Sequence, residues 1–345
     1  MNSAVATEIV LPGTVEPDGL EVRVRDLEAP GEGQVVLRMD ATGVSFAEQQ
    51  MRLGKYYDQP PFPFVPGYDV VGTVTATGPG EDPALAGRRF AAVTKIGGWA
   101  SHLLVEAADL VPVPDEVDAA AAETVAVNGV TAWQMLHRTA KVRAGGTIVV
   151  LGANGGVGSI LVQLARHAGI RVIGTASARH HEAVRELGAT PVDYRDPDMY
   201  TQIRKLAPEG VDAVFDHVGG PGLTESWRLL RRGGTLVNYG SASTKNETGD
   251  AKLPILKSFG QLMAWNYLPN GKSAHFYNFW AGRRSNKTAF RGRLAQDLTQ
   301  VLRLVADGVL VPQVAARIPL TDAAAALALA ESRTVLGKVV IVAGT

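Results

Sequence analysis

Apolar positions along this chain follow two different rhythms. Up to about residue 115 they come in short β-branched runs broken by glycine and proline, which predicts strands over 20–25, 34–42, 70–77 and 89–93. Pro60, Pro61, Pro63 and Pro66 forbid a helix between the second and third of these and stiffen the path into Gly67. Pro112 and Pro114 then mark a boundary, with Asp115 and Asp118 as candidate caps of an alanine-rich helix.

From about residue 127 the pattern alternates between period 2 and period 3.6. Strands are expected over 147–151, 171–175, 191–194, 211–218 and 235–239, with helices over 179–187, 198–206 and 224–231. Such alternation implies right-handed crossovers and a doubly wound parallel sheet. After Gly240 the signal blurs through a polar loop. It resumes with a long helix over about 293–306, a helix N-capped by Thr321, and a strand from Lys338. No internal repeat is evident.

The most telling stretch, 145–169, reads GGTIVVLGANGGVGSILVQLARHAG. An apolar strand enters a glycine cluster at Gly152, Gly155, Gly156 and Gly158, and a helix follows with Val157, Ile160, Leu161, Leu164 and Ala165 on one face. Glycines let the backbone turn tightly and approach a pyrophosphate, and the first helical N–H groups face that anion. Ala153 takes the first position of the usual glycine pattern, and a ligand-free strand–turn–helix is the alternative reading. The turn 153–158 (Ala153, Asn154, Gly155, Gly156, Val157, Gly158) is the candidate phosphate cradle.

Composition narrows the class. The 345 residues are 46% hydrophobic and 20% charged, as in a globular protein of roughly two domains. A formal net charge of +0 gives no global field toward nucleic acid or an anionic membrane. No apolar run reaches the roughly 20 residues of a membrane span, and the first residues do not read as a secretory signal, so cytoplasmic residence is expected. The absence of cysteine excludes disulfides, thiolate metal ligands and cysteine nucleophiles, and leaves the redox compartment open.

Several segments in a fixed order resemble the medium-chain dehydrogenase/reductase superfamily, in its zinc-free quinone oxidoreductase (zeta-crystallin-like) branch. They are ATGVSFAEQQMRLGKY, PFVPGYDVVG, NGVTAW, GANGGVGSILVQLAR, LGATPVDYRD, FDHVGG and ESRTVLGKVVIV, and they cover nearly the whole length. The resemblance implies an α/β protein: a GroES-like β-rich catalytic domain (1–126 and 291–345) and a Rossmann domain with a doubly wound parallel sheet (127–290). It also implies a homodimer joined through the edges of the nucleotide-binding sheets. The metal-dependent branch carries a catalytic cysteine and a Gly-His-Glu motif. Here Gly67 is followed by Tyr68 and Asp69 and no local metal-ligand spacing occurs, so no metal is expected.

An NAD-specific turn usually places an acid about 20 residues past the glycines. Here the second strand runs into Ser177, Arg179, His180 and His181, with no acid before Glu182. Ser177 and Arg179 offer donors to a 2′-phosphate, and similar enzymes add a basic residue at this turn and a tyrosine at the position of Tyr194, so NADPH is the expected cofactor. For Arg179, His180 and His181 the alternative is a solvated helix start. The resemblance sets Thr131, the Val218-Gly219-Gly220 loop and the Tyr239-Gly240-Ser241 turn beside the nicotinamide, and Lys338 joins this cofactor set.

The candidate catalytic residues are Tyr56, Ser45 and Glu48. Family members often carry Asn and Asp where this chain has Ser45 and Glu48, and Tyr56 falls where related enzymes place a cleft-lining tyrosine. Its hydroxyl could hydrogen-bond a developing enolate or quinol oxygen and deliver a proton; packing is the alternative. The aromatic and basic segment 265–293 reads either as a lid or dimer edge favouring an anionic group, or as core aromatics beside a solvated basic face. Altogether the chain reads as an NADPH-dependent, metal-free reductase of quinones or α,β-unsaturated carbonyls (enones), with small-molecule partners and no nucleic acid or membrane. A tailoring enoyl or enone reductase of secondary metabolism and a catalytically inactive NADPH-binding protein are the alternatives.

Overall fold

A computed structural model of the chain describes residues 4–242 and 252–344. Its contacts divide into two compact units, Met1–Val130 with Gly282–Thr345, and Thr131–Ala281.

In chain order the first unit opens with strands β1 (Val5–Val10), β2 (Glu21–Asp26) and β3 (Gln34–Val44), then helix α1 (Phe46–Arg52). Strands β4 (Asp69–Thr77), β5 (Arg89–Val93), β6 (His102–Glu106) and β7 (Val111–Pro112) follow, and helix α2 (Ala119–Trp133) leads onward. The second unit alternates β8 (Thr147–Val150), α3 (Gly156–His167), β9 (Arg171–Ala176), α4 (His181–Leu187), β10 (Ala189–Asp193), α5 (Met199–Leu206) and β11 (Val211–Asp216). It continues with α6 (Leu223–Arg228), β12 (Leu230–Asn238), α7 (Lys252–Trp265) and β13 (Ser273–Phe276). The chain then returns to the first unit with α8 (Lys287–Ala306), β14 (Val314–Pro319), α9 (Ala323–Glu331) and β15 (Lys338–Val342).

In the first unit, β14-β15-β3-β4-β5-β7 form one sheet, β6 pairs with β3, and β1 and β2 form a separate ribbon. β3 threads its centre because nearly every residue of QVVLRMDATGV is apolar or small, and it buries both faces over most of its length. Trp99 lies wholly inside this core, its indole N–H donating to the Gly43 carbonyl at 2.9 Å. The C-terminal β15 lies antiparallel to β3, with Val339 opposite Val44 and Val340 opposite Gly43.

The second unit is an all-parallel sheet ordered β10-β9-β8-β11-β12-β13. Its order reverses between β8 and β11, and in such sheets ligands bind outside the carboxyl ends of the strands at that reversal.

Three local expectations need correction. Asp118 does cap α2, accepting the Ala121 N–H at 3.1 Å. Thr321, in contrast, sits inside a short 3₁₀ turn (Leu320–Asp322), and Asp322 holds the N-cap position of α9. The strand expected to reach residue 218 stops at Asp216, because the Asp216 carboxylate takes the N–H groups of Val218 and Gly219 (2.8 Å each) and turns the chain. The helix expected to reach residue 231 ends at Arg228, since Leu230 already pairs with Val211 across the β11–β12 ladder.

Candidate functional site

The glycine turn after β8 lies at the sheet reversal. Ala153 is fully buried and its N–H bonds the Thr175 carbonyl at 2.9 Å, tying the turn to the end of β9. Gly155 is the N-cap of α3 and has no side chain with which to cap it. The N–H groups of Gly156, Val157 and Gly158 therefore precede the first intrahelical donor, the Ser159 N–H on the Gly155 carbonyl, and point out of the helix end. A Cβ at Gly158 would overlap the Gly152 carbonyl oxygen, so only glycine lets the helix pack this tightly on the turn. Such a helix end can receive an anion without a charged side chain.

At the end of β9, Ser177 is buried, Arg179 is exposed and His180 is half-buried. The His180 Nε2 is buried with no hydrogen-bond partner among the described residues, and burial followed by the Arg179 charge lowers the imidazole pKa. A buried imidazole nitrogen without a partner suits a ligand oxygen. Tyr194 is exposed, and its backbone N–H bonds the Ala176 carbonyl at 3.3 Å, which sets it across the same strand end. Sequence reading missed one neighbour. Asp193, from β10, accepts the Ala178 N–H at 3.2 Å and the Arg195 N–H at 2.9 Å. A search for an acid along β9 could not find it, because it comes from the adjacent strand.

The loops after β11 and β12 lie side by side. Asn238 donates to the Asp216 carbonyl (2.9 Å) and the Gly240 carbonyl (3.0 Å), and the Tyr239 N–H bonds the Asp216 carbonyl at 3.0 Å. Val218, Gly219, Tyr239, Gly240 and Ser241 are thus brought together by one hydrogen-bonded frame. Burial, then the nearby Asp216 charge, pushes the Tyr239 phenol up, so it stays protonated. Thr131 is buried on α2, at the start of the second unit.

In the first unit Ser45 and Glu48 serve a helix end. Ser45 Oγ accepts the Ala47 N–H at 3.0 Å, and Glu48 accepts the Ser45 N–H at 2.8 Å and its hydroxyl, completing a capping box on α1. The other Glu48 oxygen accepts the Tyr68 N–H at 2.7 Å. Glu48 is buried, which pushes its carboxyl up against the lowering effect of Ser45. Tyr56 is also buried, and its hydroxyl meets the Tyr68 hydroxyl at 2.9 Å. Burial first, then the two neighbouring tyrosines, pushes the Tyr56 phenol far up, so it is a neutral donor throughout the working range.

Lys338, from β15, lies inside an ion cluster of the first unit. Its ammonium bonds both Asp69 oxygens (3.0 and 3.2 Å) and Glu123 Oε1, and the side chain is buried. An ammonium has three donors. All three are engaged inside the first unit, so Lys338 stands in this structure as a buried ion-pair residue. Asp69 Oδ2 also accepts the Val127 N–H at 3.2 Å, while Glu123 Oε2 is buried with no partner among the described residues. Gly43 makes room for this cluster, since a Cβ there would overlap Glu123 Oε1 and the Lys338 stem.

The aromatic and basic segment divides between the two units. Trp265 stacks on Trp227 with ring centroids 5.0 Å apart, and Tyr277 donates to Gln134 Oε1 at 2.9 Å. Lys287 and Arg291 pair with Glu106, and Arg291 also with Asp109 at 2.6 Å. Trp265 and Phe276 pack half-buried against the core of the second unit, Tyr267 is exposed, and Lys287 and Arg291 form an ion-paired face.

A GroES-like β-rich unit joined to a doubly wound parallel sheet defines the architecture of the medium-chain dehydrogenases and reductases. The alcohol dehydrogenase GroES-like domain family matches residues 31–115, and the zinc-binding dehydrogenase family matches residues 187–341. Human quinone oxidoreductase is 31% identical over 219 residues, 62% of this chain and 67% of that protein. The human synaptic vesicle membrane protein VAT-1 homolog is 37% identical over 217 residues, and the match takes in 62% of this chain but only 55% of that protein. Among solved structures, mycobacterial Rv1454c complexed with NADPH is 28% identical with a TM-score of 0.82, covering 98% of this chain and 99% of that one. The chain belongs to the medium-chain dehydrogenase/reductase superfamily, in its quinone oxidoreductase branch. Among the described residues, no helix is long and apolar enough to cross a membrane.

Proposed function

We propose that the chain is an NADPH-dependent, metal-free reductase of quinones or α,β-unsaturated carbonyls. The observation that carries this reading is the uncapped α3 N-terminus behind a glycine turn at the sheet reversal, in a chain 28% identical to a protein solved with NADPH. The N–H groups of Gly156, Val157 and Gly158 hold the diphosphate. Ser177, Arg179, His180 and Tyr194 surround the 2′-phosphate, and a charge-assisted hydrogen bond there is worth roughly 1.5–3 kcal/mol. Bound NADPH supplies a hydride to the electron-poor carbon of a conjugated acceptor.

The acceptor oxygen that gains charge then needs a proton. Tyr56, buried and protonated, is the candidate donor, with Tyr68 holding its hydroxyl in place. A catalytic metal does not suit the donor set. The chain has no cysteine, Asp69 is taken by Lys338 and Val127, and Glu48 by Ser45 and Tyr68. Among the described residues strand β13 has a sheet neighbour on one side alone, an edge available for pairing with a second copy in a homodimer.

NADPH oxidation across matched quinones and enones, with NADH in parallel, tests the reading. Acceptor-dependent turnover favouring NADPH is expected, and comparable use of NADH would defeat the cofactor preference. Tyr56→Phe should lower kcat with enones by about 10²-fold or more while affecting quinones less, because quinones need little protonic help. Equal, negligible effects on both would remove Tyr56 as the donor. Saturable NADPH binding with no turnover on any acceptor would select the non-catalytic alternative.

A further inference from the structure

Around Tyr56 the first unit carries more cations than carboxylates. Segments 53–68, 94–105 and 282–286 hold Lys55, Lys95, Arg283 and Arg284 against a single acid, Asp58. Lys95 Nζ lies 2.5 Å from Asp58 Oδ2, and an Arg284 nitrogen approaches Asp58 Oδ1 from the other side at 3.6 Å. That second distance is outside hydrogen-bond reach, and the Arg284 side chain is 89% exposed. Among the described residues Arg284 makes no side-chain hydrogen bond, and the Lys95 ammonium makes one, to Asp58. A guanidinium has five donors and an ammonium three, so most of these donors are left without an acceptor.

Backbone contacts tie this pair of cations to Tyr56. The Tyr68 carbonyl accepts the N–H groups of Thr94 and Lys95, each at 3.0 Å, and the Tyr68 hydroxyl meets that of Tyr56 at 2.9 Å. Thr94 Oγ1 donates to the Gly67 carbonyl at 2.7 Å and the Gly97 N–H to the Val65 carbonyl at 2.7 Å, which pins the loop at both ends. Lys95 is held there at a φ of 72°, in the left-handed region that favours glycine. Backbone preference does not ask for a lysine at this position; what the lysine adds is its ammonium. On the Asp58 side, the Tyr57 ring centroid is 4.7 Å from that of Tyr56. Burial pushes the Tyr57 phenol up, and the charges of Asp58 and Arg284 also reach it, in opposite directions. Tyr57 and Ile96, the chain neighbours of Asp58 and Lys95, are each 38% exposed and leave apolar surface next to the cations.

We propose that Lys95 and Arg284 bind a carboxylate carried by the acceptor, so that the preferred acceptors are conjugated carbonyl compounds bearing an anionic group. The proposal rests on the reductase reading, with Tyr56 at the acceptor oxygen. Asp58 positions both cations and still leaves one positive charge in excess. The planar guanidinium fork matches a carboxylate with two parallel hydrogen bonds, and the ammonium adds a point charge. Tyr57 and Ile96 offer a surface to the apolar body of the same molecule. One charge-assisted hydrogen bond corresponds to about tenfold or more in affinity.

NADPH oxidation with 4-phenyl-3-buten-2-one and with its meta- and para-carboxylates tests this, above pH 7 where the carboxylates are ionised. In the native chain at least one carboxylate should exceed the uncharged ketone about tenfold in kcat/KM, through KM, and added KCl should shrink that ratio. Arg284→Gln and Lys95→Gly should each bring the ratio toward one, and Arg284→Lys should keep part of it. Both variants should fold, because the Arg284 side chain is exposed and glycine suits the Lys95 backbone. The ratio is taken within each variant, so a general loss of activity does not imitate loss of the anchor. A native ratio near one for both carboxylates, or a native-like ratio in both Arg284→Gln and Lys95→Gly, overturns the anchor and leaves the reductase reading intact. No turnover of any of the three acceptors by the native chain overturns both.

Discussion

The glycine turn of the second unit and the buried ion cluster of the first solve opposite problems. At 152–158 backbone N–H groups are left outward at an uncapped helix end, and none of these residues carries a charge. At Asp69, Glu123 and Lys338 charges are abundant, yet every ammonium donor is engaged by a carboxylate of the same unit. Charged residues are thus a poor guide to where a ligand goes. What matters is whether donors have been left without an internal acceptor.

The ion cluster should break hardest. Lys338→Met removes the ammonium that bonds Asp69 and Glu123 in a fully buried setting. Breaking a buried pair by deleting one partner typically costs about 3–5 kcal/mol. Chemical denaturation should show that loss, while binding of NADPH by whatever fraction remains folded should be near native. If NADPH affinity collapsed with little loss of stability, Lys338 would belong to the cofactor site after all, and the contrast between the two regions would fail.

The glycine turn should give the reverse result. Gly158→Ala pushes a methyl group into the Gly152 carbonyl and forces α3 away from the turn. Overpacking of this kind costs about 1–3 kcal/mol in stability. Because the displaced element carries the phosphate-facing N–H groups, NADPH affinity should fall by roughly tenfold or more, measured by fluorescence titration. Unchanged affinity would mean that the α3 N-terminus does not hold the diphosphate.

The two regions also differ in how far they could be read from sequence. Strand, glycines and helix follow one another within 147–167, and local periodicity and spacing are enough to place the strand–turn–helix and the doubly wound sheet. The ion cluster joins positions 69, 123 and 338, which no local pattern relates, so it is not legible along the chain. Ser45 and Glu48 show the same limit at short range. Their spacing is that of a capping box, yet their position in a family segment drew attention to chemistry first. Asp193 reaches the end of β9 from the neighbouring strand, where a reading along β9 does not find it. α7 was lost in the blurred region because Leu256, Phe259 and Met263 are exposed, so its apolar positions do not trace a buried face.

The smallest effect bears on how the cluster holds three carboxyls near one ammonium. Burial pushes Glu123 well above its ordinary carboxylate range, even with Lys338 acting against it. Glu48, also raised by burial, lies in the electrostatic reach of the same Asp69 and Lys338. The folded chain therefore keeps a proton on Glu123 that the unfolded chain releases. By linkage, that stability is fully present below the unfolded glutamate pKa of about 4.3 and is lost as pH rises toward the folded value. Lys338 does not contribute a trend of its own there, because its raised folded pKa removes stability only above about pH 10.4. Glu123→Gln mimics the protonated acid in shape and hydrogen bonding, though not in its single donor. It should be nearly neutral at pH 5 and more stable than the native chain by roughly 1 kcal/mol at pH 8. Urea unfolding at both pH values reads the difference directly. A variant that is destabilised more at pH 8 than at pH 5 would mean that Glu123 is ionised in the fold. The cluster would then hold a carboxylate pair on one ammonium rather than a buried acid.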